Sequence, residues 1–326
     1  MKTLTNNDYK LFQQLVSLKQ NTLLKTMDSF LKKHYDNVVY TKDYVFAIGE
    51  IPVALVAHVD TVFKAPPTDI FYDQQKNVMW SPQGLGADDR AGVFAIIKLI
   101  RKGLRPHIIL TTDEEVGGIG ARTLVNNIHQ PFADMKYIIQ LDRRGTNDCV
   151  FYDCENIIFT EYVESFGFSE AYGTFSDISI ICPKWKIAGV NLSVGYMDEH
   201  SFSETLHITP FLATIEKVAK MLKDAHNIVE PFSYIPCKYT YSWTGFTSLN
   251  GDSWLDDEVK CAGCKKYFSD YEMFPVKALD GKTRFYCPDC LIKVAQWCDN
   301  CGEAFEVTNS EEHLCKDCRG STNAKC

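Results

Sequence analysis

Five residues spread along the first two thirds of the chain have the types and settings of one metal centre: His58, Asp88, Glu115, Asp142 and His200. Two imidazoles and three carboxylates are nitrogen and oxygen donors of the kind that hold a pair of hydrolytic zinc ions around a shared carboxylate. Each lies where the chain leaves an expected strand or enters an expected helix. The constellation points to an enzyme before any other feature is considered.

The motifs around these residues differ in strength. In AHVDTV (57–62), Asp60 follows His58 by two positions, so in an extended chain it leaves from the same face. From there its carboxylate can hold the second imidazole nitrogen and fix the tautomer. In GLGADDRAG (84–92), glycines permit a tight turn before a helix. Asp88 would project from that helix's N-terminus, where a carboxylate can bridge two cations, although an acidic N-cap is the ordinary alternative. Of the adjacent Asp88 and Asp89, only one is expected to point into the site. In TTDEEVGG (111–118), Glu114 and Glu115 face different directions, so one can bind metal while the other takes a proton. An acidic loop before a glycine turn is the plainer reading of that motif alone. LDRRG (141–145) sets Asp142 at a strand end and follows it with Arg143 and Arg144. These arginines could hold a substrate carboxylate by paired hydrogen bonds, or form a solvated basic turn. His200, in SVGYMDEHSFSE, is a weak signal by itself.

The elements that must position these residues read as alternating strands and helices, and hence as a layered α/β sheet. Apolar positions at helical spacing over 7–34 predict one or two helices. A hairpin is expected at 38–49, and a buried strand at 52–57 (PVALVA). A helix should begin near Asp88, because DDRAGVFAIIKLIRKG runs from acidic residues through an apolar face to basic residues and glycine. Strands at 107–112 and 137–142 flank a helix near 119–127, and further strands are expected at 148–152, 177–182 and 188–195. A closing helix over 209–225 completes a hydrolase domain spanning 1–228. Residues 229–257 read as a linker or draped loop, and 258–326 as a Cys-rich domain.

Composition constrains the setting. The chain has 326 residues, 45% of them hydrophobic, enough for a full-sized core and an appendage. A formal charge of −8 offers no general attraction to nucleic acid or anionic membranes. The first residues carry no apolar run of signal-peptide length, and no stretch approaches a transmembrane span. Eight of the 13 cysteines form four C-x-x-C pairs: Cys261/Cys264, Cys287/Cys290, Cys298/Cys301 and Cys315/Cys318. With no secretion signal, this spacing reads as zinc in a reducing, cytoplasmic setting. Eight thiolates can hold two structural Zn²⁺ ions in tetrahedral four-cysteine sites. Sequential pairing, 261–290 and 298–318, is preferred to an interleaved cross-brace because each half has its own knuckle-like turns. The tail balances basic and acidic residues, which favours protein contact or self-association over nucleic acid.

Together, the order and residue types of the five motifs resemble the co-catalytic zinc peptidases and deacylases of the peptidase T and aminopeptidase clan. GADDRAG and TTDEEVG carry the closest likeness, over roughly residues 50–225. The resemblance implies a mixed sheet sandwiched by helices. It implies that His58 and Asp142 bind one zinc, that Glu115 and His200 bind the other, and that Asp88 bridges both. Glu114 would then be the general base, and Asp60 would orient His58. Cobalt or manganese could support the same chemistry at a carboxylate-rich pair. Peptidase T-like enzymes carry a large insertion between the fourth and fifth ligands; the 58 positions from Asp142 to His200 leave no room for it. The core, with its FSDIS segment (175–179), is closer to the single-domain aminopeptidases, so lid-borne tripeptide selectivity does not carry over. The expected function is hydrolysis of a peptide or amide bond, foremost as an aminopeptidase on small peptides. N-deacylation of a small amide, a non-catalytic zinc-module adaptor and a nucleic-acid-processing enzyme are the alternatives.

Overall fold

The computed structural model describes residues 3–129, 134–237, 258–269, 273–280, 282–298, 304–307, 314 and 316–319. The chain divides into two compact units, Met1–Tyr241 and Ser242–Cys326.

The first unit opens with helices α1 (Asn6–Val16) and α2 (Gln20–Leu31), followed by strands β1 (Asn37–Tyr40), β2 (Tyr44–Ile48) and β3 (Ile51–His58). Two short strands, β4 (Phe71–Asp73) and β5 (Val78–Trp80), precede helix α3 (Ala87–Arg101). Strand β6 (Pro106–Thr111), helix α4 (Ile119–Asn127), strands β7 (Tyr137–Arg143) and β8 (Asp148–Val150) and helix α5 (Ile157–Glu164) follow. Then come β9 (Ser169–Glu170), α6 (Asp177–Trp185), β10 (Gly189–Ser193), β11 (Tyr196–Met197), β12 (Thr205–His207) and α7 (Ile208–Asp224). The main sheet has the order β1-β2-β6-β3-β7-β10-β8-β9, and β11-β12-β5-β4 form a smaller antiparallel sheet.

Alternation along β3 shows why the sheet is sandwiched. Val53, Leu55 and Ala57 enter a core shared with α1, α2, α3 and α7, while Ala54 and Val56 enter another with α4 and α6. A strand buried on both faces must be apolar throughout, and all eight residues of β3 are buried. Strands β6, β3, β7 and β10 are parallel neighbours. Their C-terminal ends therefore reach one edge of the sheet, where open α/β sheets place their ligands.

The segment 177–182, expected as a strand, is instead the first part of helix α6. The alternation Ile178-Ser179-Ile180 mimics a strand, but Ile178, Ile181, Cys182 and Trp185 recur at helical spacing and are all buried. That face packs into the core shared with α4. Of the expected linker, residues 229–237 run along the first unit: Ser233 bridges to Ile187 and Pro236 to Cys154, and Phe232 and Tyr234 pack against the core. Residues 238–257 lie outside the described residues.

The second unit contains a hairpin, β13 (Glu258–Lys260) with β14 (Tyr267–Ser269), whose connection carries Cys261 and Cys264. Strands β15 (Phe274–Lys277) and β16 (Thr283–Tyr286), helix α8 (Pro288–Val294), strands β17 (Ala295–Trp297) and β18 (Ala304–Glu306) and helix α9 (Lys316–Arg319) follow. The four strands form a sheet in the order β16-β15-β18-β17.

Candidate metal centre and cleft

The site lies at the C-terminal edge of the parallel strands. His58 ends β3, Asp142 lies at the end of β7, and Glu114 and Glu115 follow β6 by a few residues. His200 lies between β11 and β12. Asp88 comes from the start of α3, where Asp88 and Asp89 depart from helical geometry and are joined by a cis peptide. The adjacent carboxylates take opposite roles. Asp88 faces the histidines, whereas Asp89 is fully buried and accepts from the backbone N–H groups of Gly92 at 2.9 Å and His58 at 3.2 Å.

Asp88 is the geometric centre. Its Oδ1 lies 3.1 Å from His58 Nε2, and its Oδ2 lies 3.1 Å from His200 Nε2. On the first side, Asp142 Oδ1 is 3.5 Å from the same His58 nitrogen. On the second, Glu115 Oε2 is 3.0 Å from the same His200 nitrogen. The five residues thus form two three-residue sets, His58–Asp88–Asp142 and Asp88–Glu115–His200, with Asp88 common to both. Asp60 Oδ1 lies 3.2 Å from His58 Nδ1, and its Oδ2 accepts the backbone N–H of Glu115 at 3.1 Å. One carboxylate therefore ties the first imidazole to the loop that carries Glu114 and Glu115.

The electrostatics are those of anions crowded into a poorly solvated space. Burial, reinforced by Asp142, Asp177 and Glu115 against the pull of His58, pushes Glu114 up to about 10. Burial and neighbouring Asp88 hold Asp142 up at about 6 against the opposing effect of His58. Asp88 is also desolvated, but hydrogen bonds from His200 and His58 drive it below the ordinary carboxylate range. Hydrogen bonds from His200 to Asp88 and Glu115 raise His200 to about 11. For His58, burial opposes the charged ring, but Asp142 and Asp60 raise it well above its usual value.

A cation pair fits this arrangement. The donors are oxygens and imidazole nitrogens, and Glu115 Oε1 is buried without a hydrogen-bond partner among the described residues. Asp142 is further oriented by Tyr196, which donates to its Oδ1 at 3.0 Å, and by Gln140 and Ser176, each donating to its Oδ2 at 3.0 Å. Asn191 exchanges two hydrogen bonds with the Asp142 backbone.

These supporting residues escaped the sequence reading. Gln140 could have been found from its place two residues before Asp142 on one strand face. Tyr196, Ser176 and Asn191 are brought in by tertiary structure alone. So is Glu204, which is fully buried and whose carboxylate accepts the backbone N–H groups of Gly86 at 2.5 Å and Asp88 at 2.9 Å. Burial raises Glu204 to about 7 against these two N–H groups, which favour its charged form. Asp177 hydrogen-bonds Thr111 behind the site, and burial raises it to about 7.

A cleft of about 340 Å³ opens over the cluster, with Glu114, Asp142, Tyr152, Phe175 and Tyr196 among its walls. Arg143 and Arg144 also line it.

In the second unit, the sulfurs of Cys261, Cys264, Cys287 and Cys290 lie within 4.8 Å of one another. Cys261–Cys287 and Cys264–Cys287 separations are 3.7 and 3.9 Å. Four thiolates about 2.3 Å from one zinc stand about 3.8 Å apart in a tetrahedron, so the spacing suits an ion held by four cysteines. It joins the first C-x-x-C pair to the second. Of the other expected set, Cys298 is buried, Cys318 lies in α9, and Cys301 and Cys315 fall outside the described residues.

Comparison with known proteins gave a family match over part of the chain and matches to solved aminopeptidase folds. Residues 45–157 match the family described as Peptidase family M28. That stretch contains His58, Asp88, Glu114, Glu115 and Asp142 but not His200. A search of curated proteins gave no match. Aminopeptidase PepT from Bacillus cereus ATCC 10987 superposes with a TM-score of 0.52 at 15% identity, covering 67% of this chain and 98% of that one. A tripeptidase from Staphylococcus aureus subsp. aureus Mu50 gives 0.54 at 14% identity, covering 68% and 98%. The TET aminopeptidase from a marine sediment Thaumarchaeota archaeon gives 0.55 at 13% identity, covering 67% and 97%. The fold of the first unit is the one seen in these aminopeptidases, as the α/β reading of the sequence anticipated. Among the described residues, no helix is long and apolar enough to cross a membrane.

Proposed function

We propose that this chain is a metal-dependent aminopeptidase that cleaves small peptides. The observation that carries the reading is Asp88, whose two oxygens face two separate His-and-carboxylate sets. His58 and Asp142 would hold one ion, Glu115 and His200 the second, and Asp88 both. Zinc suits the donors best, and cobalt or manganese could replace it. Such a pair, when bound, supplies Lewis acidity toward the scissile carbonyl and acidifies the attacking water.

The remaining work belongs to the protein. Burial pushes the Glu114 carboxyl up to about 10, and the positive charge of a bound cation pair would offset this and keep it ionised. Open to the cleft, it would then accept the proton of the attacking water and return it to the nitrogen of the leaving amine. Asp60 fixes the tautomer and ring orientation of His58. Tyr196, Gln140 and Ser176 orient the carboxylate of Asp142 and leave one lone pair of its Oδ1 for an ion.

In the second unit, Cys261, Cys264, Cys287 and Cys290 would hold one structural zinc. Cys298, Cys301, Cys315 and Cys318 would hold another, and this module would serve protein contact or self-association.

The test is Glu114→Gln. General acid–base groups contribute roughly 10²–10⁴-fold, so turnover of free-amine peptides should fall by that order while elemental analysis shows undiminished metal content. An unchanged rate would reject Glu114 as the proton carrier. Loss of metal would reject the division of labour between Glu114 and Glu115.

A further inference from the structure

The cleft holds two cationic side chains beside the carboxylate cluster, and their situations differ. Arg144 is 60% exposed and donates to Glu199 at 2.9 Å. Arg143 is only 17% exposed, and its nearest carboxylate, Asp148 Oδ2, stands 4.0 Å away. That is beyond hydrogen-bonding distance. Its Nε is buried with no hydrogen-bond partner among the described residues. A buried Nε–H left without an acceptor is costly, and an anion that accepts from it would remove that cost. The fold holds it beside the cleft through β7, whose last two residues are Asp142 and Arg143.

We propose that Arg143 binds a carboxylate of the substrate, so that the site selects compounds carrying a carboxylate close to the bond being cut. This rests on the hydrolase reading above. A guanidinium matches a carboxylate with two parallel N–H···O bonds, which fix orientation as well as charge. Arg143 lines the same cleft as Asp88, Glu114 and Asp142, so a carboxylate held by it and an amide lying over the Asp88 cluster belong to one small molecule. The cleft, about 340 Å³, lies at the small end of ligand sites, which span roughly 300–1,000 Å³. Tyr172 and Phe175, 85% and 40% exposed, also line the cleft. The recognised carboxylate has two possible sources: the C-terminal carboxylate of a dipeptide, or the side chain of an aspartate or glutamate next to the scissile bond.

The experiment measures binding as well as turnover. A hydrolysis-resistant dipeptide with a reduced amide bond is titrated calorimetrically into the metal-loaded protein as the free acid and as the C-terminal amide. A third probe is the amide form carrying a glutamate side chain. The free acid should bind at least tenfold more tightly than the amide. That ratio should fall to about one in Arg143→Gln and recover in part in Arg143→Lys, which restores the charge without the fork. If the glutamate-bearing amide binds as tightly as the free acid, the side chain can supply the carboxylate; if it binds as weakly as the plain amide, the C-terminal group is the one read. Equal binding of acid and amide by the wild type, or a preference that survives in a folded Arg143→Gln, overturns the proposal. Were Arg143→Gln to unfold, the same preference undiminished in Arg143→Lys would overturn it. Cleavage of Ala-Ala and its amide is assayed alongside. Carboxylate preference in binding with no peptide cleaved would overturn the peptidase reading and leave the role of Arg143 standing. Cleavage without preference would do the reverse.

Discussion

Replacing Glu204 by glutamine should weaken metal binding without touching a metal ligand. Glu204 is wholly buried and uses both carboxylate oxygens, one on the N–H of Gly86 and one on that of Asp88. These bonds anchor the turn from which Asp88 reaches between His58 and His200. Glutamine keeps one acceptor and turns an NH2 group toward the other backbone N–H, so one charge-assisted bond is lost. Such bonds contribute about 1.5–3 kcal/mol each. If that cost falls on the placement of Asp88, the metal dissociation constant rises about 10–150-fold, since 1.4 kcal/mol is a factor of about ten. Loss of outer partners of metal ligands elsewhere has effects of about 10–100-fold. The assay is a chelator competition at pH 8.5, above the value near 7 to which burial raises Glu204, so that the carboxylate is ionised. Urea unfolding of the metal-free protein runs beside it. A loss of stability with metal affinity within twofold of wild type would refute the reasoning, because Glu204 would then hold the fold together without positioning Asp88.

Phe94 of α3 is fully buried and meets Phe12 and Phe211, with ring centroids 5.8 and 5.5 Å away, so Phe94→Ala should cost about 3–5 kcal/mol in urea unfolding. The Lys98–Asp8 ion pair at 2.7 Å should be pH-sensitive. Burial raises the Asp8 carboxyl, but Lys98 and Thr5 outweigh it and leave its value below 3.8. The pair's stabilisation is therefore complete above pH 3.8 and disappears as pH falls through the lower folded-state value. Wild type should lose more stability than Asp8→Asn between pH 5 and 2.5, and parallel losses would refute this. Cys287→Ser should release one zinc per chain while peptide turnover persists, as measured by elemental analysis and an activity assay; undiminished zinc would reject the four-cysteine site.

Sequence determined much of this protein because its signals are local. The apolar run before His58, the acidic start and basic end of α3, and the strand ending in Asp142 each announce an element with a donor at its end. C-x-x-C spacing likewise announces thiolate pairs. Where two local patterns competed, as at 177–182, the sequence alone could not arbitrate. Alternating Ile and Ser suit a strand, and only the helical face packed into the α4 core made α6 a helix.

Tertiary structure decided everything that depends on direction and on distant partners. It turned Asp88 toward the histidines and Asp89 toward backbone amides, a choice that two identical neighbours cannot reveal. It brought Tyr196, Ser176 and Asn191 onto Asp142, and Glu204 onto the Asp88 turn, from positions with no regular spacing relative to the ligands. It also distinguished Arg144, paired with Glu199, from Arg143, whose buried Nε has no partner among the described residues. Residue types and short-range periodicity carry the identity of donors and the elements beneath them. The orientation of a side chain, and the desolvation it experiences, depend on what the fold packs against it.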